Sequence, residues 1–320
     1  MKFFLSVNIP KYTFQLDHHQ KIFMAGSCFS EHIYEKMLQN GFHVASNPWG
    51  ILFNPISLAL MTQKMIEPND LSESILPVKR DEIWYSLHQH SLINEKSEEE
   101  LLNKVDHITI EASEKFKTSD IFIVTFGSAY VYEYKERRGE VVANCHKLPN
   151  TLFNKRLLEV NQIVETWAKL ILHMPSKKVI FTVSPVRHSR DGLAENNISK
   201  SILILAIREL MKLFPKQCFY FPSYEIVIDE LRDYRFYKED LVHPNEIAVN
   251  YVWEKWCESF YDSKTTEISS AFQKIFLFAQ HRPLDGNNLV HFSKLSELKF
   301  SLQKQYSFLN YSIFNSSIDN

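Results

Sequence analysis

Five short apolar runs, separated by stretches with helical spacing, constrain this chain more than any other feature. They occupy residues 22–25, 42–45, 121–126, 179–183 and 218–221. Each is bounded by polar or turn residues, as a buried strand should be. Between them the period changes. Phe29, Ile33 and Met37 recur at i, i+4 and i+8, and Gly41 follows as a C-terminal cap. Residues 153–173 read as an amphipathic helix, with Leu157, Val160, Ile163, Val164, Trp167, Leu170 and Ile171 on one face. A further helix is expected over 199–214. Strand–helix alternation of this kind predicts an α/β fold with a parallel sheet covered on both faces.

Two insertions interrupt the alternation. One spans about 46–119 and holds helical patterns plus an extended stretch at 83–90. The other, 129–147, reads as a β-hairpin turning at ERRGE. Its second arm is expected to return Asn144 and His146 towards the end of the third core strand. From about 264 the character changes. A helix around Phe272, Ile275, Phe276 and Phe278 is followed by the turn-rich HRPLDGNN, a helix at 293–305 and a polar tail. The expected division is an α/β domain over 1–263 and a helical extension over 264–320.

Composition excludes some functions. A net charge of −2 gives no general attraction to nucleic acid or an anionic membrane. No run approaches the roughly 20 apolar residues of a membrane span. Cys28, Cys145, Cys218 and Cys257 form no CxxC pair, and scattered thiols suit a reducing, cytoplasmic setting. His18–His19 and His88-x-His90 lack the carboxylates or thiols that would complete a metal site, so no metal or other cofactor is expected. With seven glycines and no glycine-rich phosphate loop, dinucleotide and P-loop chemistry is disfavoured.

In a parallel sheet, ligands bind beyond the carboxyl ends of the strands. The first such end is Gly26–Ser27–Cys28–Phe29–Ser30. Ser27 would stand at a helix N-terminus, where free N–H groups and the helix dipole favour an oxyanion. The same serine would also serve as an ordinary N-cap. The second is Asp240-x-x-His243, followed by Pro244 and Asn245. One short loop could there present a carboxylate that orients an imidazole base. Asn47 and Gly50 follow the second strand. Gly127 and Ser128 follow the third, and Asn144 and His146 lie on the hairpin. Arg187 and His188 follow the fourth strand. Gly50 and Asn144 are the expected oxyanion donors. Asn47, Ser128, His146, Arg187 and His188 are the expected substrate contacts.

These blocks in this order resemble the SGNH/GDSL hydrolases, and more closely the GSCFA-domain family. GSCFS (26–30), NPWGILFNP (47–55), TFGSAYVYE (125–133), VANCHKLP (142–149), SPVRH (184–188) and EDLVHPN (239–245) carry the likeness over about 20–260. The resemblance implies a three-layer α/β/α sandwich with sheet order 2-1-3-4-5. It also implies ester hydrolysis or acyl transfer on a small-molecule or carbohydrate ester. Anchoring on the serine makes Ser27 the nucleophile, with Asp240 and His243 as its base pair. Anchoring on the glycine of Gly-Asp-Ser places Cys28 there instead, and makes a thiol enzyme the alternative. The family's Gly-x-Asn-Asp element is absent after the third strand, where Gly127–Ser128–Ala129 stands, and Asn144 is the expected substitute. A non-catalytic module binding a sugar or acyl group on the same fold is the third reading.

Overall fold

A computed structural model describes residues 5–68, 75–281 and 288–314. The first half runs β1 (Lys21–Gly26), α1 (Cys28–Gln39), β2 (His43–Ser46), α2 (Pro55–Ile66), β3 (Pro77–Arg80), β4 (Ile83–Ser86), β5 (Asn94–Glu95), α3 (Glu98–Lys117) and β6 (Ile121–Phe126). Next come β7 (Tyr130–Tyr134), β8 (Glu140–Val142), β9 (Phe153–Leu157), α4 (Val160–Leu172), β10 (Lys178–Val183), α5 (Leu193–Leu213) and β11 (Cys218–Phe221). A short α6 (Ser223–Glu225) leads into a π-helical stretch, Ile226–Leu231. The chain then continues through α7 (Glu246–Phe260), α8 (Ser263–Gln280) and α9 (Asn288–Gln305).

The five expected runs form one parallel sheet in the order β11-β10-β6-β1-β2. Successive strand residues point to opposite faces, so an unbroken apolar run fits a strand covered on both sides. Phe23, Phe122, Val124 and Phe181 pack with Leu58, Val105, Trp167 and Leu203 of α2 to α5. Ile22, Met24, Ile123 and Ile180 face the other way, with Phe29 and Ile33 of α1 and Val252 and Trp256 of α7. Truncating a fully buried aromatic such as Phe122 to alanine would cost roughly 3–5 kcal/mol.

Two helix boundaries are corrected. The helix read over 153–173 begins only at Val160, because Phe153–Leu157 is a strand paired antiparallel with β7. Glu159 and Gln162 form the capping box that starts α4. The hairpin is therefore part of a three-stranded sheet, β8-β7-β9. The helix expected over 199–214 starts earlier, at Leu193, just after Gly192. The second arm of the hairpin is linked both to the segment packed on the end of β6, where Phe53 O accepts from Gly127 N and Ser128 N and the Asn54 amide donates to Val142 O, and to the rest of the 46–119 insertion. Both Ala143 and Asn144 donate their N–H to Leu87 O, which holds this arm against the 46–119 insertion.

Within that insertion β3, β4 and β5 make a small antiparallel sheet. At the C-terminal side, α8 and α9 pack around Phe272, Leu302, Leu309 and Phe314. Asn310 ties this cluster to the α1–β2 corner, donating from its backbone to Gly41 O at 2.9 Å and from its amide to Phe42 O at 3.2 Å. Most of the HRPLDGNN link and the NSSIDN tail lie outside the described residues.

Candidate active site

The β1–α1 turn is built so that only glycine can begin it. Gly26 has φ +148°, and a Cβ there would lie 2.3 Å from Thr125 O of β6. Its N–H donates to Asn47 Oδ1 at 2.8 Å. The Asn47 amide donates in turn to Ser30 Oγ at 3.2 Å and to the Glu31 carboxylate. Asn47 thus staples the end of β2 to the first turn of α1, which makes it a brace for the turn.

Ser27 and Cys28 then diverge. Ser27 donates its N–H to Thr125 O at 3.2 Å and caps α1, its Oγ accepting from Phe29 N at 3.4 Å. Its side chain is turned inward and the residue is 1% exposed. Cys28, the first helical residue, is only partly buried and its thiol is free. Burial pushes the thiol's pKa up. Its own backbone N–H, Lys200, the Phe29 N–H and Lys238 act in the opposite direction.

The second component is a tight loop between Tyr237 and Pro244, which form an isolated antiparallel bridge. Lys238 N–H reaches His243 O at 2.8 Å and Leu241 N–H reaches Lys238 O at 2.9 Å, with Leu241 left-handed at φ +59°. Asp240 Oδ1 accepts the N–H of both Val242 and His243 at 2.9 Å. Its Oδ2 meets His243 Nδ1 at 2.7 Å. The backbone N–H of His243, then that of Val242, then the imidazole hold the Asp240 carboxyl down to about 2. An ionised carboxylate only accepts, so Nδ1 carries the proton and Nε2 of the neutral ring is left as an acceptor.

Arg187 fixes this loop to the end of β10. Its N–H donates to Val242 O at 3.2 Å, and its guanidinium lies 4.3 Å from the Tyr237 ring centre. His188 donates its N–H to Asn196 Oδ1 at 2.9 Å. Burial, then the charge on Lys200, lowers its imidazole pKa to about 4, so it is neutral at pH 7.

Electrostatic reach shows that these segments converge. Lys238 acts on both Cys28 and His32, which lies one turn further along α1. His243 acts on both His32 and His188. Lys200 acts on both Cys28 and His188. The β1–α1 turn, the end of β10 and the Asp240–His243 loop therefore share one region beyond the strand ends.

Other expected site residues have structural partners. Gly50, at φ +76°, donates its N–H to Asn47 O at 2.8 Å, and a Cβ there would lie 2.3 Å from His90 Cβ. Asn144 donates to Ser91 Oγ at 3.2 Å and accepts from His146 N at 2.8 Å. His146 is 2% exposed, with its ring bonded to Ser86 O and Ser91 Oγ. Ser128 is buried, and its Oγ accepts from Tyr130 N and pairs with Ser199 Oγ. His18 is buried against Asn40 O, and His88 is bonded to Glu140. Among the described residues no group of three or more His, Cys, Asp or Glu is placed to hold a metal. No described helix is long and apolar enough to cross a membrane.

Sequence reasoning missed Lys200. It is 1% exposed and donates from Nζ to Gly127 O at 2.5 Å and Ser184 O at 2.7 Å, at the ends of β6 and β10. Burial pulls it down to about 7.

Residues 21–256 match the model of the GSCFA family. The matched span contains the β1–α1 turn, Lys200 and the Asp240–His243 loop. No curated protein matches the chain.

Proposed function

We propose that this chain, which belongs to the GSCFA family, is an ester hydrolase or acyltransferase. Its acyl group would come from a small-molecule or carbohydrate ester. The observation that carries the reading is the Asp240–His243 pair. A carboxylate fixes Nδ1 and leaves Nε2 as the base, in the region of a helix N-terminus that bears a nucleophilic side chain. The two core clusters on opposite faces of the sheet support an SGNH-like, three-layer α/β/α sandwich with order 2-1-3-4-5. Four free cysteines fit a reducing compartment, and we place the activity in the cytoplasm.

Exposure favours Cys28 over Ser27 as the nucleophile. The Ser27 hydroxyl is buried and capping α1, whereas Cys28 is only partly buried. In the proposed reaction Sγ attacks the acyl carbonyl, and its proton passes to His243 Nε2. The ester C–O bond breaks and the departing alkoxide takes that proton, leaving an acyl thioester on Cys28. Water or an acceptor hydroxyl then attacks with His243 as base, and Sγ leaves. Backbone N–H groups and the dipole of the first turn of α1 stabilise the oxyanion. Gly50 N–H and the Asn144 amide are committed elsewhere and have no part in this reading.

Turnover of short-chain aryl esters and acetylated sugars by wild type, Cys28→Ala, Ser27→Ala and His243→Ala tests it. Activity is expected to vanish in Cys28→Ala and fall steeply in His243→Ala. Wild-type turnover in Cys28→Ala would overturn the thiol assignment. Loss in Ser27→Ala alone would return the role to the hydroxyl.

A further inference from the structure

β2 is the outermost strand on its side of the parallel sheet and pairs only with β1. Asn47 donates its N–H to Met24 O, and Met24 is the register partner of Ser46. Residues of a parallel strand turn their backbone groups alternately to one side and the other. Ala45 therefore faces β1, while the N–H and C=O of both Val44 and Ser46 point away from it. On that outer side lies a groove of about 480 Å³, lined by all four residues of β2. At about 3.3 Å per residue, the strand offers an edge about 13 Å long.

Unpaired strand groups are a template for another chain, and proteins usually cover such an edge or blunt it. β2, with the sequence HVAS, carries no proline to blunt it. The Ser46 hydroxyl is buried and meets no hydrogen-bond partner among the described residues. α1 walls the groove through Tyr34, and α3 walls it through Ile108 and Ala112. An edge set between two helices excludes a second copy, whose own β2 is recessed in the same way, but admits a single extended segment. The charges on the lining select its chemistry. Lys115 is paired with Glu111 at 2.5 Å, and His43 Nε2 is bonded to Phe308 O at 2.8 Å. Asp120 holds the backbone N–H of Lys21, and among the described residues no carboxylate pairs with the Lys21 ammonium.

We propose that the β2 groove receives an extended, acidic-ended peptide segment of a partner protein, which adds a sixth strand to the sheet. Its backbone pairs with Val44 and Ser46, its apolar side chains lie on Ile108 and Ala112, and its acidic residue meets Lys21. Lys21 is the register partner of His43, so the acidic residue sits where β2 begins. At its other end the groove reaches Pro48. That is next to Asn47, the brace of the β1–α1 turn, so the bound segment borders the candidate active site without using any of its groups.

The test measures fluorescence polarisation of labelled hexapeptides against the full chain. The peptides alternate valine and threonine and carry aspartate, asparagine or lysine at either end. The aspartate peptides are expected to bind most tightly. Val44→Pro removes one outward N–H at an edge position where a strand tolerates proline. With circular dichroism unchanged, it is expected to weaken binding about tenfold or more. Lys21→Glu changes an exposed side chain and is expected to weaken the aspartate peptides about fivefold and favour the lysine peptides instead. Failure of every peptide to bind, equal binding by wild type and Val44→Pro, or an unaltered preference in Lys21→Glu would each overturn the proposal. Binding that appears only after residues 315–320 are removed would overturn it in favour of the chain's own tail. A dimer in sedimentation that Val44→Pro abolishes would overturn it in favour of a second copy.

Discussion

Asp240 grips His243 with both of its oxygens: Oδ2 takes the Nδ1 proton at 2.7 Å, while Oδ1 takes the backbone N–H of the same histidine at 2.9 Å. One side chain thereby sets both the path of the loop and the tautomer of the ring.

Asp240→Asn is expected to keep the loop, because the amide oxygen can still accept the backbone N–H groups. Its NH₂ would face Nδ1 and favour the wrong tautomer. A loss in kcat on the order of 10³–10⁴-fold is expected, with circular dichroism unchanged. The carboxylate's folded pKa of about 2 is below its ordinary value. Its contribution to stability is therefore present above the ordinary value and lost as pH falls through about 2. Acid titration of the wild type against Asp240→Asn reads this directly.

Ser27→Ala removes the N-cap of α1 and should lower stability by about 0.5–2 kcal/mol in urea unfolding. Under the thiol reading, kcat per folded molecule stays within a few-fold of wild type. Cys28→Ala should show the reverse pattern, with stability little changed and turnover lost.

Gly26→Ala should be among the most damaging small substitutions in the chain. The added methyl meets the Thr125 carbonyl, and φ +148° disfavours any L side chain. A loss of roughly 3 kcal/mol or more in unfolding free energy is expected.

Lys200 predicts a stability slope. Its folded pKa, about 7, is below the ordinary lysine value, so above pH 7 the unfolded chain binds a proton that the folded chain has released. Stability therefore rises with pH through that window. The difference in unfolding free energy between wild type and Lys200→Met should grow by at most about 1.4 kcal/mol per pH unit between about pH 7 and 10. Urea titrations across that range check it.

The parallel sheet was legible because strands buried on two faces leave unbroken apolar runs, such as IFIVTF at 121–126. β9 was not. Phe153 and Leu157 meet the register of the adjoining helix, and the exposed Asn154 and Lys155 between them give only a weak period of two. The Asp240–His243 loop could be read from spacing alone, since both groups sit on one short segment. Asn144 and His146 could not be placed, because their partners Ser86, Leu87 and Ser91 come from a distant insertion. Lys200 left a signal that was passed over: a charged residue in step with Leu203, Ile207 and Leu210 stands on a face that must be buried.

Arg187 binds the base loop to β10, not to the turn that carries Cys28. Under the thiol reading, reactivity is thereby assembled late. During synthesis the cysteine leaves the ribosome early, while His243 follows near the far end of the matched region. A growing or truncated chain carries the cysteine turn without its histidine, and under the thiol reading the nucleophile gains a base only once the Asp240–His243 loop has docked on β10.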